Sequence, residues 1–130
     1  MGLTEETMGR KNKKKVLVVE DNPNMSGLLT DMLEVFDVDS ISASDGVEAL
    51  DLVNDNEFGM VISDLRMPKM NGTELLLAVK EKYPKMPVVL ISGYTMDSAD
   101  DETVSRRADG FLTKPFKMNE LQEVLNKFLQ

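Results

Sequence analysis

The 130-residue chain has no cysteine and no histidine, and these absences remove most of the usual catalytic inventory. Without cysteine there is no disulfide, thiolate nucleophile or thiolate-bound metal, a composition that fits a reducing cytoplasm. Without histidine there is no imidazole base and no histidine-ligated ion. Carboxylates, hydroxyls and lysine are left for chemistry, and any bound metal has to be a hard cation held by oxygen. Long apolar runs are missing as well: no segment approaches the roughly 18 consecutive apolar residues of a membrane span. The N-terminus has no signal-peptide core, and Met1-Gly2-Leu3-Thr4-Glu5-Glu6 lacks the hydroxyl residue that myristoylation requires at its sixth position. Positive charge is in deficit, with 15 basic against 23 acidic residues and a net charge of −8. The surface as a whole therefore disfavours direct contact with nucleic acid or anionic membrane.

What is present supports one folded domain, since 42% of the residues are hydrophobic and the length leaves no room for a second core. Residues 1–14 show no hydrophobic periodicity and carry Arg10, Lys11, Lys13 and Lys14, with Lys15 following. They read as a flexible basic tail or linker ahead of a domain over 15–130. Val16 to Val19 is an apolar run ending at Glu20-Asp21, as expected of a strand buried on both faces. Asn22-Pro23 then starts a helix with Met25, Leu28, Leu29, Met32, Leu33 and Phe36 on its apolar face. Val38 to Ala43 predicts a more polar edge strand. Ser44 or Asp45 caps a helix using Val47, Leu50 and Val53, which ends at Asn54-Asp55-Asn56.

A third strand, centred on Met60-Val61-Ile62, delivers Asp64 and is stopped by Pro68; Asn71 then caps a helix through Leu75, Ala78, Val79 and Tyr83. Val88 to Ile91 forms a fourth strand ending at Ser92-Gly93. Residues 95–106 predict a poorly apolar helix dominated by Asp97, Asp100, Asp101 and Glu102. Phe111-Leu112-Thr113 is a short fifth strand ending at Lys114-Pro115, and Met118, Leu121, Val124, Leu125 and Phe128 mark a closing amphipathic helix. Five strands alternating with five helices predict an α/β fold, a parallel sheet with helices on both faces.

In such a sheet Glu20, Asp21, Asp64, Ser92 and Lys114 all fall at the carboxyl ends of strands, on one edge, where open α/β sheets bind their ligands. Three clustered carboxylates raise one another's pKa unless a cation compensates. An all-oxygen ligand set then calls for Mg2+, with Mn2+ as a substitute. An aspartate beside Mg2+, a hydroxyl and an ammonium can act as a nucleophile toward phosphorus, and phosphoryl transfer needs positioning and charge neutralisation more than a general base.

These motifs, Glu20-Asp21, Asp64-Leu65-Arg66-Met67-Pro68 with Met70 and Gly72, Ile91-Ser92-Gly93 and Lys114-Pro115-Phe116, resemble the receiver domain of two-component response regulators. The resemblance implies a flavodoxin-like fold with strand order 2-1-3-4-5 and Asp64 as phosphoacceptor. It implies Mg2+ held by Asp21, Asp64 and the backbone carbonyl of Arg66, with Glu20 on a metal-bound water. By the same resemblance Lys114 contacts the phosphoryl group, Ser92 and Phe111 form the switch, and the Lys114-Pro115 peptide is cis. The implied donor is a sensor histidine kinase or histidine phosphotransfer protein, and the implied output is protein contact through the 95–129 face. Such a domain is a signalling module and not an enzyme in the ordinary sense.

Three departures from the family pattern stand out: Glu20 replaces the commoner aspartate, Phe111 the frequent tyrosine, and Arg107 occupies a position where glycine is common. Arg66 and Tyr94, each two residues beyond a site residue, are expected to flank the path of attacking water and tune phosphoryl lifetime. A receiver that never accepts phosphate and a Mg2+-dependent aspartyl-phosphate phosphatase are the alternatives; a flavin-binding flavodoxin lacks its phosphate loop after Val19. The wording Ile91-Ser92-Gly93-Tyr94 resembles receivers attached to hybrid kinases, so the chain is expected to be either a single-domain regulator or a piece of a longer one.

Overall fold

The computed structural model describes residues 15–67, 69–92 and 107–129. The expected basic tail, the expected helix 95–106 and Tyr94 lie outside the described residues. The elements are β1 (Lys15–Val19), α1 (Pro23–Val35), β2 (Ser40–Ala43), α2 (Gly46–Asp55), β3 (Phe58–Asp64), α3 (Gly72–Lys82), β4 (Val88–Ser92), β5 (Gly110–Thr113) and α4 (Met118–Phe128).

All strand pairs are parallel, and the sheet order is β2-β1-β3-β4-β5, the 2-1-3-4-5 order that the resemblance implies. β3 is buried along its whole length, which explains its apolar run from Phe58 to Ile62. Alternate strand residues feed two cores. Leu17, Val19, Val61 and Leu90 pack with Ala49 and Val53 of α2 and Leu75, Leu76 and Val79 of α3. Val16, Val18, Ile62 and Ile91 pack with Leu29 and Leu33 of α1 and Leu121 and Leu125 of α4. Helices therefore cover both faces, and none among the described residues is long and apolar enough to cross a membrane.

Helix starts follow the chain's capping residues. Asn22 Oδ1 accepts from the backbone of Asn24 and Met25, and Asp45 Oδ1 accepts from Glu48. Asn71 and Glu74 cap reciprocally, at 2.9 and 3.0 Å. The end of α1 corrects the expected strand start. Val38 N–H donates to Leu33 O at 3.0 Å and Asp37 N–H to Glu34 O at 2.9 Å, with Asp37 at φ 63°. This left-handed closure consumes Asp37 and Val38, so β2 begins at Ser40.

Three residues assigned to apolar helix faces are solvent-facing instead: Leu28 is 52%, Val47 49% and Met118 38% exposed. In α2 the buried places go to Gly46, Ala49 and Val53. At the edge opposite the strand ends, Lys80 Nζ lies 2.7 Å from Asp109 Oδ2 and 2.8 Å from Met86 O. Asp109 Oδ2 also accepts from Val88 N–H at 2.8 Å, tying α3 to the starts of β4 and β5.

Gly72 shows why the chain can turn so tightly behind Asp64. A Cβ there would lie 2.5 Å from Asp64 O and 2.7 Å from Leu65 Cα, whereas Gly27 on α1 has nothing within 4 Å of the same position. Gly72→Ala is expected to destabilise the fold by about 3 kcal/mol, the overpacking range. Gly27→Ala is expected to stabilise it by up to about 1 kcal/mol through helix propensity. Urea denaturation midpoints of the two variants check this opposition.

Candidate functional site

The connection from β1 leads outward to β2 on one side, and that from β3 leads to β4 on the other. The crevice between β1 and β3 is therefore the point where the chain's connections diverge. Glu20 and Asp21 follow β1 directly and Asp64 ends β3, so the pairing of Val19 with Ser63 sets the carboxylates side by side. One carboxylate oxygen from each of Glu20, Asp21 and Asp64 lies within 4.8 Å of the others. Lys114 enters from β5: its backbone N–H donates to Ser92 O at 2.8 Å, extending the ladder one residue past the end of β5. Its Nζ reaches Asp64 Oδ2 at 3.4 Å and Glu20 Oε1 at 3.9 Å. The Lys114-Pro115 peptide is cis.

Burial differs sharply across the cluster. Glu20 is 4% exposed, Asp64 is also buried, and Asp21 is exposed. Glu20 Oε2 accepts from Asn22 N–H at 3.1 Å, but Oε1 is buried with no hydrogen-bond partner. Its pKa is pushed up to about 7, chiefly by burial; the Asn22 N–H opposes the rise, Asp64 and Asp21 add to it, and Lys114 opposes it. A buried carboxylate oxygen without a hydrogen-bond partner, beside two further carboxylates and a single ammonium, is what a hard divalent cation satisfies. The donor set therefore fits Mg2+.

Ser92 is half-buried at the end of β4, opposite Thr113. Phe111 pairs with Leu90 in the ladder and is 39% exposed, so its ring stands at the surface of the edge strand. Arg66 is exposed on the loop that leaves β3. Among the described residues the structure gathers Glu20, Asp21, Asp64 and Lys114, with Ser92 beside Lys114 in the ladder. Sequence reading did not single out Gly46, at the start of α2, where an added Cβ would strike Met70; the Asp45-Gly46 pair at a helix start was the available signal.

Comparisons with known proteins agree with the fold. Residues 16–126 match the response regulator receiver domain family. The sensor kinase/phosphatase LuxN of Vibrio campbellii is 32% identical over 114 residues, covering 88% of this chain and 13% of that protein. The response regulator FleR of Pseudomonas aeruginosa is 32% identical over 111 residues, covering 85% of this chain and 24% of that protein. The chain thus spans about an eighth to a quarter of the length of these curated relatives. Among solved structures, the response regulator TrrA of Thermotoga maritima, crystallised in complex with Mg2+-BeF, aligns with a TM-score of 0.82 at 30% identity. That match covers 89% of this chain and 99% of that one. The chemotaxis protein CheY4 of Vibrio cholerae aligns with a TM-score of 0.81 at 29% identity, covering 89% and 98%.

The raised Glu20 pKa makes a signed prediction. Between about 4.5 and about 7 the folded chain holds a proton that the unfolded chain has released, so Glu20 costs stability as pH rises through that window. In the presence of a chelator, moving from about pH 5 to about pH 8 is expected to lower the unfolding free energy of the wild type relative to Glu20→Gln by roughly 2–3 kcal/mol. Millimolar Mg2+ is expected to return most of that loss in the wild type at the higher pH. Denaturant unfolding of both proteins across the range, with and without Mg2+, measures it.

Proposed function

The chain belongs to the response regulator receiver domain family, and on that footing we propose that it is a phosphoacceptor switch in a His-to-Asp phosphorelay, with Asp64 as the acceptor. The observation that carries the proposal is the convergence of Glu20, Asp21, Asp64 and Lys114 on one crevice. A degenerate receiver has no need of that convergence. The Mg2+-BeF complex of TrrA supports the same chemistry for a relative of the same shape.

In this reading an Asp64 carboxylate oxygen attacks the phosphorus of a phosphohistidine. The O–P bond forms as the P–N bond breaks, and the electron pair returns to the donor's imidazole. Asp21, Asp64 and the Arg66 carbonyl would hold Mg2+, with Glu20 on a bound water, and the ion supplies positive charge to the phosphoryl oxygens when bound. Lys114, already within 3.4 Å of Asp64, provides a second cation at the phosphoryl group. Ser92 donates its hydroxyl to the phosphoryl oxygen once Asp64 is modified, and Phe111 turns inward from its exposed position.

The added charge biases an existing equilibrium between two conformers, whose output is read by a protein partner on the 95–129 face. Within that face, β5 and α4 are the described elements. Arg66 and Tyr94 flank the approach of water and set the lifetime of the acyl phosphate. The donor is a sensor histidine kinase or a histidine phosphotransfer protein. A groove of about 910 Å3 beside Lys114, walled by Met25, Leu28, Met32, Phe116 and Met118, offers it an apolar seat.

Incubation with Mg2+ and a small phosphodonor, followed by intact mass measurement, is expected to show a phosphoryl-sized gain that Asp64→Asn abolishes. No gain would mean a receiver that does not accept phosphate, and continuous turnover of phosphate esters would mean a phosphatase. Replacing Arg66 and Tyr94 together with small residues is expected to change the rate of phosphoryl loss by several-fold; an unchanged decay curve would remove both from the mechanism.

A further inference from the structure

Resting on the reading of Asp64 as a Mg2+-dependent phosphoacceptor, we propose that Gly46 is a positioning residue for that site. It seats Met70 against bare backbone and so fixes the loop that presents the Arg66 carbonyl.

Gly46 opens α2 and contributes no functional group to the crevice. Its backbone does not require glycine, because no described glycine has positive φ. The requirement is space. A Cβ on Gly46 would lie 2.7 Å from Met70 Cβ and 2.8 Å from both Met70 Cγ and Met70 O. Two of these three atoms, Cβ and O, cannot swing away as the end of a flexible side chain can.

The connection from β3 to α3, described at Leu65–Met67 and at Lys69–Asn71, is anchored in each described stretch. At its base Gly72 N–H donates to Leu65 O at 2.8 Å. At its far end Met70 rests on Gly46, and Lys69 Nζ lies 3.5 Å from Asp45 Oδ2. Lys69 sits at φ 66°, a region that bulky L-residues adopt only where their surroundings impose it. The seat itself is rigid, since Asp45 Oδ1 accepts from Glu48 N–H at 2.9 Å and Asp45 O from Ala49 N–H at 3.0 Å. Ala49 is fully buried in the core that Met70 also packs against.

Arg66 lies between these two anchors. Pushing Met70 off Gly46 would shift this connection, and with it the carbonyl that would serve Mg2+ in the proposed reading. Support of this kind, from residues that never touch the metal, commonly sets a tenfold or larger part of the affinity.

The test is Mg2+ titration by calorimetry on wild type, Gly46→Ala, Met70→Ala and Gly27→Ala, alongside denaturant midpoints for each. Gly46→Ala is expected to weaken Mg2+ binding about 10-fold at a temperature where its circular dichroism is that of a folded chain. Met70→Ala introduces no clash and removes the side chain beyond Cβ, including the Cγ seated on the glycine, so it is expected to fold and to weaken binding a few-fold. Gly27→Ala is expected to bind as wild type. If Gly46→Ala and Met70→Ala lose stability but bind Mg2+ as wild type does, Gly46 is a packing residue and the proposal fails. If Gly27→Ala weakens binding equally, the effect is not one of this seat and the proposal fails as well. A wild type that binds no Mg2+ would remove the phosphoacceptor reading itself, a result distinguishable from either.

Discussion

Carboxylate repulsion at the β1–β3 crevice is the constraint around which the upper edge of the sheet is arranged. Three acidic oxygens within 4.8 Å of one another would separate if they sat on mobile loops. They stay together because each is attached to a strand end whose residues are fully packed: Val19 and Ser63 pair in register, and both are essentially inaccessible. The hydrophobic cores on the two faces thus hold the electrostatic arrangement in place. Its partial relief comes from Lys114, itself fixed by a backbone hydrogen bond to Ser92.

Incomplete relief gives the site its chemistry. Burial above all raises the Glu20 pKa, with Asp64 and Asp21 adding to the rise, and Oε1 is left buried without a hydrogen bond. A divalent cation and then a phosphoryl group can each change that balance, because a few ångströms of low-dielectric surroundings magnify every added charge. The extra methylene of Glu20 is accommodated by turning its second oxygen onto the Asn22 N–H, the helix-start turn that also receives the Asn22 cap. One short segment therefore orients a site carboxylate and starts α1.

The loop after Asp64 is the second rigid feature. Close backbone approach at Gly72 and at Gly46 holds it between the first turns of α2 and α3. On the far side of the sheet the Lys80–Asp109 pair joins α3 to the start of β5. Together these contacts place the site and the edge strand bearing Phe111 on a common framework.

Much of this was legible in the chain itself. Uninterrupted apolar runs ending in Glu20, Asp64 and Ser92 determined that buried parallel strands deliver polar groups to one edge, because a period-2 or continuous apolar pattern cannot be satisfied otherwise. Asn22, Asp45 and Asn71 determined the helix starts through their capping oxygens. The lack of histidine and cysteine restricted the chemistry to oxygen ligands and an ammonium. Strand order was beyond periodicity, since hydrophobic spacing carries no information on which strands are neighbours; family resemblance supplied it. Leu28, Val47 and Met118 were misread because helical spacing does not say where a buried stripe ends. The Asp37–Val38 helix closure, the reach of Lys80 to Asp109 and the seat of Met70 on Gly46 were decided only in three dimensions. Each depends on a distance between residues far apart in the chain or on a backbone angle that no residue type dictates.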